Sequence, residues 1–233
     1  MSSVRTICGV LAVAMSAGAL VSCTEQVARP EASKTPTTAA TSPSAEPTPT
    51  PSPTPTGPAT SDGRSRNARL TIPAIGVDDL RVVAYRGCTD DGRGTVIQNR
   101  GHAASPHGPD GGVGPGGIGN YQVTAHRLSS TQAFLDLPRL RRGDRIRVET
   151  GDVRYVYEVT KTRRVSFRSP ASLRKQRAEV PGKPGAVADR AYITLSTCAT
   201  PEDHAAGNFW SDEFGNPEHR IDKIGELVDT EPR

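Results

Sequence analysis

The chain has 233 residues, and its 20 prolines, 23 glycines and 4% aromatic content argue against one core packed from end to end. The formal net charge is +4. Residues 1–63 hold three basic and four acidic groups, which leaves 26 and 21 in residues 64–233, a balance of +5. So mild a basicity does not read as a nucleic-acid binder, which masses Lys and Arg on one face with stacking rings; the clusters at Arg139, Arg141, Arg142, Arg145 and Arg147 and at Lys161, Arg163 and Arg164 read as solvated strand and loop faces.

Residues 1–22 open with Arg5 and continue through an uncharged run from Ile7 to Val21. About 15 residues suit the apolar segment of an export signal and fall short of the roughly 20 that a membrane-spanning helix needs. The run ends Leu20-Val21-Ser22-Cys23, which resembles the lipobox of bacterial lipoproteins and makes Cys23 the expected lipidation site. The resemblance implies at least a diacylglyceryl group, a stable anchor where one acyl chain binds only marginally. Residues 23–63 follow, with PTPTPSPTPTGP at 47–58, and cannot bury a core. Pro-rich chain extends near ~3.1 Å per residue, so this disordered stalk would reach on the order of 120 Å. The expected location is extracytoplasmic, tethered to the outer face of the cell membrane.

The globular domain is expected over 64–233, and its signals are mostly those of strands. Arg69 to Ile72 alternates and stops at Pro73. Leu80 to Tyr85 is rich in valine, and Thr95-Val96-Ile97 reads as a further short strand. Tyr121 to Ala125 follows a glycine-dense loop at 111–119, and His102 and His107 fall in the Gly/Pro/Ser-rich loop before it. Ser130 to Leu137 reads as one short turn or helix. Asp144 to Thr150 alternates, and Gly151-Asp152 supplies a hairpin turn into Val153 to Thr160. Ser169-Pro170 starts a second helix. Tyr192 to Thr197 and Ile221 to Val228 complete the set. Many short strands punctuated by Gly and Pro predict an all-β barrel or sandwich.

Four cysteines occur. Cys8 falls in the export signal and Cys23 in the lipobox, which leaves Cys88 and Cys198. In an exported chain a pair suggests a disulfide first, yet Cys198 ends a strand, where a side chain meets a rim. With an intrinsic pKa near 8.5, only about 3% of such a thiol is thiolate at neutral pH, so a base or cation must assist it. His126 also ends a strand and Arg220 opens one, so three strand ends could bring thiol, imidazole and guanidinium to one groove. Cys88 reads as a buried structural thiol.

Three separated motifs resemble the sortase family, in the right order. Thr194-Leu195-Ser196-Thr197-Cys198 is similar to the TLxTC signature. Ala125-His126-Arg127 with Phe134 and Leu140-Arg141-Arg142-Gly143-Asp144 resembles G-H-R…F…L-R-x-G-D. Leu70 to Val77 resembles the first-strand pattern L-x-I-P-x-I-G-V. The likeness covers about 69–228 and is nearest to class E, with class F the competitor. It implies an eight-stranded β-barrel with a few short helices. It also implies Cys198 as nucleophile, His126 as acid/base and Arg220 as oxyanion donor, with Thr197, Thr194 and Trp210 as substrate contacts. The implied reaction cleaves a surface protein's C-terminal Leu-Pro-x-Thr-Gly-like or Leu-Ala-x-Thr-Gly-like signal between Thr and Gly. The acyl group then passes to an amine of a peptidoglycan precursor or a pilin, and no cofactor is needed.

Two departures stand out. Ala125 replaces the usual Gly before the histidine, and a long connection, rich in Asp and Glu, separates Cys198 from the unusually polar strand Arg220-Ile221-Asp222-Lys223. The connection reads as a solvated acidic loop, since His204, His219 and the carboxylates at 202–218 lack metal-motif spacing; no metal is expected. Two other readings are a thiol hydrolase on the same fold and a non-enzymatic envelope-binding lipoprotein. A cysteine L,D-transpeptidase would need a Gly before the cysteine, where Thr197 stands.

Overall fold

Residues 57–233 are described by a computed structural model. The expected signal peptide, the lipobox residue Cys23 and the stalk as far as residue 56 lie outside the described residues. Eight strands follow in chain order: β1 (Ala68–Ile72), β2 (Val77–Arg86), β3 (Ala103–His107), β4 (Gly119–Thr124), β5 (Arg145–Thr150), β6 (Val153–Ser166), β7 (Ala191–Cys198) and β8 (His219–Pro232). They close into a barrel in the order β1-β2-β3-β4-β7-β8-β6-β5. Closure leaves no open sheet edge to recruit another chain. Three short helices accompany them, α1 (Gly92–Asn99), α2 (Pro170–Arg177) and α3 (Thr200–Ala205). The eight-stranded barrel expected from the resemblance is therefore present.

Alternation builds the wall. In β5 Ile146 and Val148 are fully buried while Arg145 and Arg147 are exposed, and in β7 Ile193 and Leu195 face the core. Leu70, Ile72, Val82, Tyr121, Val123 and Tyr157 fill the same interior, each apolar side chain contributing roughly 1.5–3 kcal/mol on burial. Lys223 also enters, and its Nζ donates to Pro138 O (3.0 Å), Leu140 O (2.5 Å) and Thr162 Oγ1 (3.0 Å). All three ammonium donors are thus satisfied, which is the condition for burying a charge.

The elements differ from the sequence expectation in places with identifiable causes. Thr95-Val96-Ile97 belongs to α1, not to a strand. The carboxylate of Asp91 accepts the Gly94 N–H at 2.8 Å as an N-cap, which outweighs the β-preference of those branched residues. The eighth strand is β3. It pairs in parallel with β2 from Val82↔Ala103 to Arg86↔His107, so His107 closes a strand instead of lying in a loop. Of the two forms expected from Ser130 on, residues 130–136 take the turn, because Ser130 and Gln132 adopt left-handed φ values of 54° and 53° that no right-handed helix admits. β6 runs on to Ser166 because its ladder with β8 extends to Ser166↔His219. Contact with the barrel begins before residue 64: Ser61 bridges to Gly117, and Thr230 Oγ1 donates to Ala59 O at 2.7 Å.

The loop from β3 to β4 is seated by Gly116. Its N–H donates to Tyr157 Oη at 2.7 Å, its φ is +73°, and a Cβ there would lie 2.2 Å from the Tyr155 ring. Gly116→Ala is expected to destabilise the domain by about 1–3 kcal/mol, seen as a fall of several degrees in thermal unfolding followed by circular dichroism. An unchanged melting temperature would refute this packing.

Candidate active site

Strand register brings three distant residues to one rim of the barrel. β4 and β7 run parallel, paired from Gly119↔Ala191 to Thr124↔Ser196, and the Ala125 N–H donates onward to Ser196 O at 3.3 Å. Position 126 therefore lies level with position 198. β7 and β8 run antiparallel, and the last pair of their ladder is Cys198↔Arg220. Directly opposed residues share a face, so the sulfur and the guanidinium emerge on the same side.

Arg220 is only 1% exposed. Its Nε donates to Asp90 Oδ2 (3.1 Å) and its Nη1 to Pro217 O (2.8 Å), and its Cζ lies 4.8 Å from the Phe167 ring centroid. Nη2 has no hydrogen-bond partner among the described residues. Cys198 is a free, partly exposed cysteine with Sγ 3.9 Å from Asn216 Oδ1. Burial pushes its thiol above the ordinary value, opposed by Arg220. His126 Nε2 lies 2.7 Å from Asn99 Oδ1, and burial lowers its basicity. Raised thiol and lowered imidazole together describe a resting pair that is mainly uncharged at neutral pH.

Residues 70–210, more than half of the chain, match the family model of the sortase domain. The chain belongs to the sortase family. Sortases are cysteine transpeptidases, and this chain is an enzyme of that type. The barrel is similar to the SrtA sortase of Actinomyces oris (20% identity, TM-score 0.56, covering 77% of this chain and 90% of that one). It is similar also to sortase E1 of Streptomyces coelicolor with a tripeptide in its active site (22%, 0.54, 75% and 94%) and to sortase E of Streptomyces avermitilis (22%, 0.52, 73% and 91%). At such identities the likeness is one of fold. Among curated proteins none matches. The family match ends before β8, so the place of Arg220 beside Cys198 comes from the ladder and not from the sequence match.

In this sortase the connection after Cys198 is a set of paired charges instead of the expected solvated acidic loop. Glu202, in α3, takes a two-pronged contact from Arg127, whose Nη1 also donates to Cys198 O at 3.3 Å. Asp203 is fully buried and accepts from the His219 N–H (2.9 Å), His219 Nδ1 (2.8 Å) and Arg164. His219 and Asp203 are thus committed to each other. Trp210 is half-buried, with Arg168 Cζ 5.5 Å from its ring centroid.

Beneath the site lies a buried polar layer on the outer face of β4, β7 and β8, covered by α2. Asp222 Oδ1 accepts from Ser196 Oγ (2.7 Å) and Gln176 Nε2 (3.0 Å). Asn120 Nδ2 donates to Gln176 O at 2.9 Å, and Asn120 Oδ1 accepts from Thr194 Oγ1 at 2.8 Å. Burial pushes the Asp222 carboxyl up to about 6. Two of the expected substrate contacts lie in covered positions. Thr194 and Thr197 are each 2% exposed, and Thr197 Oγ1 is spent on Ala125 O at 2.8 Å. Both brace strands: Thr194, four places before the rim cysteine, lies under α2 and donates to Asn120 Oδ1, and Thr197, one place before it, turns to the other face. Cys88 is buried, and it is not paired with Cys198, which is free.

Asp90, Asn99 and Asn216 surround the three motif residues and had no marker in the sequence beyond the Asp-Asp-Gly that caps α1. The burial of Cys198 gives a direct expectation: its alkylation by iodoacetamide, followed by intact mass, should climb with pH and reach half its limit above the ordinary thiol value of about 8.5. A plateau already reached at pH 7 would show a thiolate at rest and contradict it.

Proposed function

We propose that Cys198, His126 and Arg220 carry out transpeptidation on a Leu-Pro-x-Thr-Gly-like or Leu-Ala-x-Thr-Gly-like sorting signal at the cell envelope. The observation that carries this reading is the cross-strand pair of a free cysteine and a buried arginine with one donor to spare. Class E is favoured by the Ala125-His126-Arg127 segment.

The reaction begins when substrate excludes water from the rim and a proton passes from the thiol to the imidazole. The Cys198 thiolate attacks the Thr carbonyl carbon, and the carbonyl oxygen gains charge. Arg220 Nη2 is suited to meet that oxygen, since a fixed donor helps most where charge develops. His126, now imidazolium, gives its proton to the Gly nitrogen as the C–N bond breaks. A thioacyl enzyme remains. An incoming amine loses a proton to His126 and attacks the thioester, and the sulfur leaves with the new amide formed. The resting pair keeps only a small fraction ionised, which limits stray alkylation and oxidation and makes the rate sensitive to pH on both sides.

Incubation with each peptide, with and without an added amine, tests the reading by intact mass and product analysis. A Cys198 adduct and amine-dependent ligation are expected, with Cys198→Ala inactive and Arg220→Ala slowed on the order of 10²–10³-fold. Hydrolysis alone, unchanged by amine, would favour the hydrolase reading, and an active Cys198→Ala protein would overturn both.

The extracytoplasmic tether is proposed on the lipobox and stalk. Expression of the full chain in a bacterium should put it in the membrane fraction, and Cys23→Ala should release it. Equal membrane retention of the two would refute the lipid anchor.

A further inference from the structure

One acidic side chain outside the three motif residues is buried against them. Asp90 is 8% exposed and sits in the turn between β2 and α1, 130 positions before the arginine it touches. The turn is braced from several sides. Asp90 adopts a left-handed φ of 61°, a conformation that Asp tolerates better than most residues. The next carboxylate, Asp91, accepts the Cys88 N–H at 3.1 Å and the Gly94 N–H at 2.8 Å. Tyr85 Oη donates to Cys88 O at 2.7 Å, and Arg177 Nε donates to Thr89 Oγ1 at 3.2 Å. The Asp90 carboxylate is therefore fixed before any substrate arrives.

A guanidinium is a planar fork of five donors, so two in-plane contacts and one ring against its face determine its orientation. Arg220 has all three, in Asp90, Pro217 O and Phe167. We propose that Asp90 is a positioning residue of this sortase: by holding Nε it sets the guanidinium plane so that Nη2 is left for the substrate oxygen. This rests on the reading of Arg220 as the oxyanion donor. Asp90 takes Nε and leaves Nη2 alone, the pattern of a support and not of a blocking group. The charge has a second effect. It holds both the Cys198 thiol and the His126 imidazole higher than they would otherwise be. The other charges near them are Arg220 from β8, Arg127 after β4 and Asp212 from the connection before β8.

The experiment uses the full chain with the sorting peptide and amine that it turns over. Asp90→Ala is expected to lower kcat about 10–100-fold, the scale of a misplaced catalytic group, with KM within about twofold. Asp90→Asn keeps an oxygen for Nε and should retain most of kcat, while both limbs of its kcat/KM profile move to lower pH. In an Arg220→Ala background, Asp90→Ala should cause no further loss. An unchanged kcat and pH profile in both Asp90 variants would overturn the inference, and a raised kcat would make Asp90 a blocking group instead. Full activity of Arg220→Ala would sink the reading of Arg220, whereas its loss beside normal Asp90 variants sinks this inference alone. If Asp90→Ala does not fold, Asp90→Asn carries the test. If no peptide is turned over, the pH midpoint of Cys198 alkylation should fall in Asp90→Asn, and an identical midpoint would count against the role of Asp90.

Discussion

The ladder between β7 and β8 ends on Cys198 and Arg220, and the chemistry proposed for this sortase depends on that single pairing. A sulfur needs a cation near it to ionise and a donor near it to stabilise the oxygen it attacks. In the proposed reaction Arg220, on the facing strand, supplies both. Register is quantised in steps of one residue, and a slip of either strand by one would leave the sulfur and the guanidinium on opposite faces. The hydrogen bonds from Tyr192↔Glu226 to Thr197↔Ile221 therefore keep the sulfur and the guanidinium opposed, by excluding every neighbouring register. The parallel pairing of β4 with β7 adds the imidazole at the same height.

Burial of Arg220 would be unfavourable without compensation, since a lone buried cation is strongly destabilising. Asp90, Pro217 O and the Phe167 face provide it, and each comes from a different part of the chain. A similar economy holds below the site, where Gln176 from α2 joins Ser196 and Asp222. Buried polar networks of this kind stabilise only when their members are partnered. The sign for Asp222 follows from its raised value. Folding is unaffected by it below its unfolded value near 4. Stability is then lost as pH rises through about 6, because the folded carboxyl must ionise without water.

Strands with clear alternation, such as β5 and β7, were readable from residue order alone, and so was the turn at Gly151. β3 was not, because Ala103-Ala104-Ser105-Pro106-His107 is small, includes a proline and is buried on both sides, so no period marks it. α1 is not legible in the sequence because three branched residues favour extended chain, while the decisive cap is one carboxylate and its N–H. Cys198 and His126 were marked by motifs that end on strands. Arg220 was named against a polar sequence context, and the structure explains that context: Asp222 and Lys223 each have buried partners. Asp90 could not be found in the sequence, since its meaning arises only when a turn near the start of the domain meets the last strand.

Twenty residues, 199–218, connect β7 to β8, and their two ends are pinned by Arg127–Glu202, Asp203–His219 and Asn216 beside the sulfur. The stretch between, which carries Phe209 at 71% exposure, takes no part in setting the register of the strands it joins. Its length and composition can drift, by insertion or by exchange with a foreign segment, while the sulfur and the guanidinium stay opposed. A barrel arranged in this way can acquire new clientele through one crossing without rebuilding the machinery that cuts and joins.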